Sequence, residues 1–189
     1  PFIMIAEVRM ELLLYPDPRL RDIATPLKEI DDEVKAIIEE MFDIMRRQKG
    51  VGLAGTQVGY ARRAIVANLT GKAEDNEVFL NPEIIKKSGE VREEEGCLSF
   101  PGMTATITRA ETVWVEYTNL DGKRRRVEAT GLASKMFQHE IDHLDGVLMI
   151  DRMGPADRLA NAKRLKELDD DFRASRKTVS AERGRGVSL

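Results

Sequence analysis

His139, Glu140 and His143 stand in the run Gln138-His139-Glu140-Ile141-Asp142-His143, and the chain has no other histidine. Residues four apart share one side of an α-helix, so both imidazoles can reach one ion while the glutamate projects beside it. Two histidines scattered at random would fall four apart roughly once in a hundred chains of this length, and requiring Glu directly after the first gives about one in a thousand. The competing reading is two ordinary histidines in accidental register. The spacing favours metal binding, with hydrolysis by a metal-activated water as its leading use.

Cys97, the only cysteine, is the next candidate ligand. Most lone cysteines are inert core residues. Joined to two histidines on one helix, however, Cys97 makes a three-ligand site with one coordination position open, as catalytic sites require. A closing Asp or Glu would instead make the site structural, and the ligand types leave that alternative open. Residues 50–57, Gly-Val-Gly-Leu-Ala-Gly-Thr-Gln, form a glycine-rich loop. No Lys-Ser or Lys-Thr follows it and no dinucleotide-type strand precedes it, so it is not a phosphate loop.

The elements that must position these residues follow from periodicity. Val34, Ile37, Ile38, Met41, Phe42 and Met45 recur at helical spacing over about residues 32–47, with Asp31 as N-cap and Gly50 as stop. From Ala61 to Thr130 the pattern is of strands: residues 64–67, residues 78–80 closed by Asn81-Pro82, and the alternating residues 112–118. Residues 119–122 read as a hairpin turn into residues 123–129, where Arg124, Arg125 and Arg126 are a solvated face. A second helix over about residues 132–144, ended by Gly146, carries Leu132, Met136, His139 and His143 on one stripe and is apolar nearly all round, hence buried. Polar groups there need a partner, which an ion supplies. Pro155 opens a third, charged helix expected to end near Phe172. Beyond it, residues 173–189 read as a basic, mobile tail.

At 189 residues, with 42% apolar and 33% charged side chains, the chain reads as one α+β domain over residues 10–172, its antiparallel strands packed around the buried helix. A fresh start at Met10 makes residues 1–9 an extension or an expression remnant. The net charge of −3 gives no global attraction to nucleic acid or anionic membrane. No apolar run approaches the ~20 residues of a membrane helix. One cysteine excludes an intrachain disulfide and fits a reducing compartment.

Taken in order, the three segments resemble the signature motifs of the peptide deformylases: residues 50–57 the first, residues 95–99 (Glu-Gly-Cys-Leu-Ser) the second, and residues 138–144 the third. Tyr15-Pro16-Asp17-Pro18 and Asn81-Pro82 also look like the family, so the likeness runs from about residue 10 to residue 153. Gly55 and Thr56 depart from it, standing where the family usually has alanine and proline. Both changes loosen the backbone.

The resemblance implies Cys97, His139 and His143 as ligands of one divalent metal ion. Fe2+ is the expected native ion, with Zn2+, Ni2+ or Co2+ in preparations; ligand chemistry alone points to zinc. It implies Glu140 as general base and then acid, and Gln57 and the Leu98 N–H as oxyanion donors. Without the family, Gln57 is an ordinary loop glutamine. Glu95 would order the Cys97 loop, paired with Arg109. Gly52 and Gly96 would lie where a substrate backbone comes close. Leu132 and Met136 would take a methionine side chain, or else be plain core. Asp142 would orient a ligand histidine or face solvent.

The activity implied is hydrolysis of the N-formyl group from the starting methionine of new polypeptides, with hydroxide attack on the formyl carbon and release of formate. N-formylmethionyl nascent chains, and transiently the ribosome, are the partners implied. The location is bacterial cytoplasm, or an organelle stroma or matrix. Three rivals remain: a metalloendopeptidase, which shares the His-Glu-x-x-His spacing; an inactive relative that binds only ribosome or nascent chain; and a closed structural metal site.

Overall fold

Ala64-Ile65-Val66-Ala67 is buried on both sides, which explains its unbroken apolar character. As strand β2 (Ala64–Ala67) it turns Ile65 and Ala67 towards one core layer and Ala64 and Val66 towards another. In this computed structural model, which describes residues 10–185 and the side chains of residues 10–176, β2 lies in an antiparallel sheet of order β1-β2-β3-β6-β7. The other members are β1 (Gly52–Ala54), β3 (Glu77–Ser88), β6 (Thr112–Thr118) and β7 (Arg124–Thr130). Strands β4 (Val91–Gly96) and β5 (Thr104–Arg109) pair separately.

Helix α1 (Asp32–Arg47) covers one face of the sheet with Ile38, Met41 and Phe42 over Leu53, Val66 and Leu80. Its N-cap is the expected Asp31, whose carboxylate accepts from Val34 N–H at 2.9 Å. At its other end Lys49 adopts a left-handed φ of 57°, and Gly50 N–H bonds back to Met45 O. Helix α2 (Gly131–Leu144) covers the opposite face, setting Phe137, Ile141 and Leu144 against Ile65, Phe79 and Val113. A third apolar cluster joins Phe100, Met103 and Ile107 to Leu148, Met149 and Leu168. The expected α+β domain, with a buried motif helix among antiparallel strands and a C-terminal helix, is the observed architecture.

Two expected boundaries are corrected. Strand β3 does not close at Asn81-Pro82 but continues to Ser88 through a register shift after Leu80. Asn81 takes a φ of 50°, and its side-chain amide trades hydrogen bonds with Leu27 N–H (2.7 Å) and Leu27 O (2.8 Å). A bulge is where a strand tolerates proline. The charged C-terminal helix is broken at Asn161 into α4 (Pro155–Ala160) and α5 (Ala162–Arg185), with a short α3 (Met149–Arg152) before them. Helix α5 runs past Phe172, so residues 173–185 are helical. They are rich in good helix formers, and Asp169–Arg173 at i,i+4 carries the helix across the expected end. The expected extension 1–9 and residues 186–189 lie outside the described residues.

Candidate metal centre

Three elements converge. Helix α2 brings His139 and His143, the turn after β4 brings Cys97, and the 3-10 turn after β1 (Gly55–Val58) brings Gln57. Cys97 Sγ lies 3.2 Å from His143 Nε2, which lies 3.3 Å from His139 Nε2. All three donor atoms fall within 4.8 Å of one another. Tetrahedral bonds of ~2.05 Å to nitrogen and ~2.3 Å to sulfur separate their ligand atoms by about 3.3–3.6 Å. The residues therefore fit a divalent ion, and a soft thiolate with two imidazoles suits a borderline transition metal.

His139 is oriented from behind. Its Nδ1 lies 3.1 Å from Glu95 Oε2, so the Nδ1–H donates to the carboxylate and the Nε2 lone pair faces Cys97 and His143. Arg109 clamps the same carboxylate through Nε (2.8 Å) and Nη2 (3.0 Å), with both side chains buried. Arg109 also donates to Asp142 at 2.6 Å, and Asp142 is held again by the half-exposed Arg152. The expected pairing of Glu95 with Arg109 is present. Asp142 contacts the two arginines and reaches a ligand histidine only through Arg109 and Glu95.

Burial works against a charged Glu95, but the bonds from His139 and Arg109 outweigh it and bring its carboxyl down to about 2. Burial likewise opposes charge on His139, yet Cys97, Glu95 and Glu140 around it raise its pKa well above the ordinary value. His143, equally buried and beside His139, is pushed well below its usual range.

Glu140 is buried, and its Oε2 has no hydrogen-bond partner among the described residues. Burial pushes its carboxyl up to about 7. Gly52 packs directly on it: a methyl on the glycine Cα would lie 2.8 Å from Glu140 Oε1 and 2.9 Å from Met136 Cγ. Gln57 is fixed at both ends of its amide. Its Oε1 accepts from Ala54 N–H at 2.9 Å, while Nε2 lies 3.2 Å from Ser99 Oγ and 3.7 Å from Cys97 Sγ. Leu98 follows Cys97 directly and lies against Gly50.

A cavity of about 530 Å³ opens over these groups. Met136 is buried at its wall, whereas Leu132 is 48% exposed at its edge and is therefore not plain core. Gly96 also lines it, with room for a methyl 3.7 Å from Met103 O.

Two further residues, to which spacing and resemblance assign no role, belong to the site. Ser99 positions the Gln57 amide, and the buried Thr56 donates from Oγ1 to His143 O at 2.9 Å. The neighbouring departure is steric: a methyl on Gly55 would meet Tyr60 O at 2.6 Å and Arg62 O at 2.8 Å. Position 55 in this chain has no space for the alanine usual in the family.

Residues 9–159 match the family model described as polypeptide deformylase. The peptide deformylase of Chromobacterium violaceum is 44% identical over 144 residues, covering 76% of this chain and 86% of that protein. The crystal structure of the Plasmodium falciparum peptide deformylase superimposes with a TM-score of 0.85 at 38% identity, over 87% of this chain and 98% of that one. The enzyme from Legionella pneumophila gives 0.81 at 38% identity, over 87% and 97%. On sequence, fold and the converging motifs, the chain belongs to the polypeptide deformylase family.

Proposed function

We propose that this enzyme hydrolyses the N-formyl group of the starting methionine of newly made polypeptides by the residues of the α2 centre, releasing formate and a free amine. The observation that carries this reading is the convergence of Cys97, His139 and His143 beside a glutamate with an oxygen unpartnered among the described residues. A divalent cation held by those three ligands supplies Lewis acidity, which makes a water nucleophilic near neutral pH.

Glu140 takes the proton from that water as its oxygen bonds to the formyl carbon, and returns it to the nitrogen as the carbon–nitrogen bond breaks. A carboxyl group titrating near neutrality suits both roles. The Gln57 amide, held by Ala54 and Ser99, and the Leu98 N–H donate to the developing oxyanion. Loss of one such donor costs about 10²–10³ in rate. Leu132 and Met136 take the methionine side chain, while Gly52 and Gly96 let its backbone approach.

Ferrous iron is the proposed ion, on family likeness, with zinc, nickel or cobalt as substitutes; metal analysis of anaerobically purified protein decides. The cytoplasm or an organelle interior is the proposed location. Transient ribosome contact through the basic C-terminal residues is proposed too, and pelleting with ribosomes unchanged after deletion of residues 173–189 would remove the tail from it. The deciding assay compares a formyl-Met peptide with its unformylated twin. Formate release that vanishes in Glu140→Ala supports the reading, whereas internal peptide cleavage alone would point to an endopeptidase.

A further inference from the structure

The cavity over the metal ligands does not end at the reacting groups. Gln48, Leu98 and Pro101 also wall a second hollow of about 690 Å³, which reaches Leu14, Ile44 and Arg47. Leu12, Leu14 and Pro101 in turn border a third, of about 830 Å³, that extends to Leu168 and Phe172 on α5. Sharing these walls, the three hollows lie side by side between the metal centre and the C-terminal helix.

The middle hollow is bordered by the lead-in segment. Leu13 N–H bonds to Gln57 O (2.7 Å) and Tyr15 N–H to Ser99 O (2.9 Å), so this segment is fastened to the two residues that hold the Gln57 amide in place. Leu13 is buried and Tyr15 stacks on Phe100. Leu14, between them, faces the other way. It is 42% exposed and borders both outer hollows. The core makes no use of this side chain.

We propose that the two outer hollows form an extended subsite for the downstream residues of the polypeptide substrate, with Leu14 as its apolar contact. The inference rests on the deformylase reading and adds a substrate preference to it. The occupant follows from adjacency: a polypeptide whose first residue sits over the metal ligands must lead its remaining chain away from there, and both hollows share a wall with that cavity. Walls that alternate Leu12, Leu14 and Pro101 with Glu11, Glu40 and Arg47 suit an extended peptide that buries single apolar side chains and keeps its backbone solvated.

The experiment compares a formyl-Met tripeptide with two nonapeptides sharing its first three residues, one continued with leucines and one with aspartates. The leucine nonapeptide is expected to show a KM about fivefold lower than the tripeptide, the gain from half-burying one leucine. The aspartate nonapeptide gains nothing. Leu14→Glu erases the leucine advantage while tripeptide kcat and KM stay unchanged, and Leu14→Met retains it. Equal KM values for all three peptides, or a leucine advantage that survives Leu14→Glu, would overturn the subsite alone. Failure to deformylate even the tripeptide would overturn the deformylase reading and the subsite together.

Discussion

Thr56 Oγ1 donates a 2.9 Å hydrogen bond to the backbone carbonyl of His143. The residue before the Gln57 amide is thereby tied to one of the proposed metal ligands, across two elements far apart in sequence. Thr56→Val keeps the volume and removes the donor, leaving that buried carbonyl without this partner. The Gly146 N–H still bonds that carbonyl, so a loss of about 0.5–1.5 kcal/mol in denaturant unfolding is expected, with a lower kcat and little change in KM. Thr56→Ser restores both, and urea melts beside steady-state assays check this.

Gly52 and Glu140 are in contact, so Gly52→Ala must displace either the glutamate or Met136. Overpacking of this kind costs about 1–3 kcal/mol. If the displacement falls on Glu140, kcat/KM drops at least roughly tenfold, since 1.4 kcal/mol is one decade. An unchanged kcat/KM in the variant would separate Gly52 from the chemistry.

Glu140 also sets a pH dependence in the metal-free protein. Its carboxyl rises from 4.5 to about 7 on folding, so the folded state resists its ionisation. Stability is lost as pH climbs from 4.5 through 7, reaching about 3 kcal/mol above that window. Glu140→Gln removes the loss. The metal-free variant is expected to melt higher than the parent at pH 8 and equally at pH 4.5, while lacking activity.

Glu95 has the opposite sign. Its carboxyl falls from 4.5 to about 2, so its contribution is present above 4.5 and is lost as pH falls towards 2. About 3 kcal/mol is at stake. Glu95→Gln should flatten this part of the acid-unfolding curve, followed by circular dichroism between pH 5 and pH 2.

The two histidines of α2 and the helix α1 are legible in the sequence more readily than the groups around them, for a physical reason. His139, His143 and the Asp31 cap are local patterns, read from spacings of three and four. Glu95 clamped by Arg109, Ser99 against Gln57 and Thr56 on His143 are contacts between segments, and no period within one segment encodes them. Family likeness supplied the first of these and was silent on the other two. Asn81-Pro82 is a strong local stop that tertiary pairing overrides with a bulge, so the sequence alone ends β3 early. The charged residues beyond Phe172 resemble a solvated tail, although the Arg, Lys, Glu and Ala among them are good helix formers.

Removal of the metal by a chelator is expected to abolish deformylation and to expose the Cys97 thiol, which is only half-buried, to a maleimide reagent. Readdition of a divalent ion before labelling restores activity and protects the thiol. Labelling at equal rates with and without metal would detach Cys97 from the ligand set.

The chain of ion pairs from Glu95 through Arg109 and Asp142 to Arg152 is electrically balanced within itself. Neutral as a whole, it still presents one inner carboxylate to His139, so positive charge on that ring meets Glu95 first and the balancing arginines only behind it. The α2 centre thereby gains a cation-favouring field while the net charge of the protein is left unaltered.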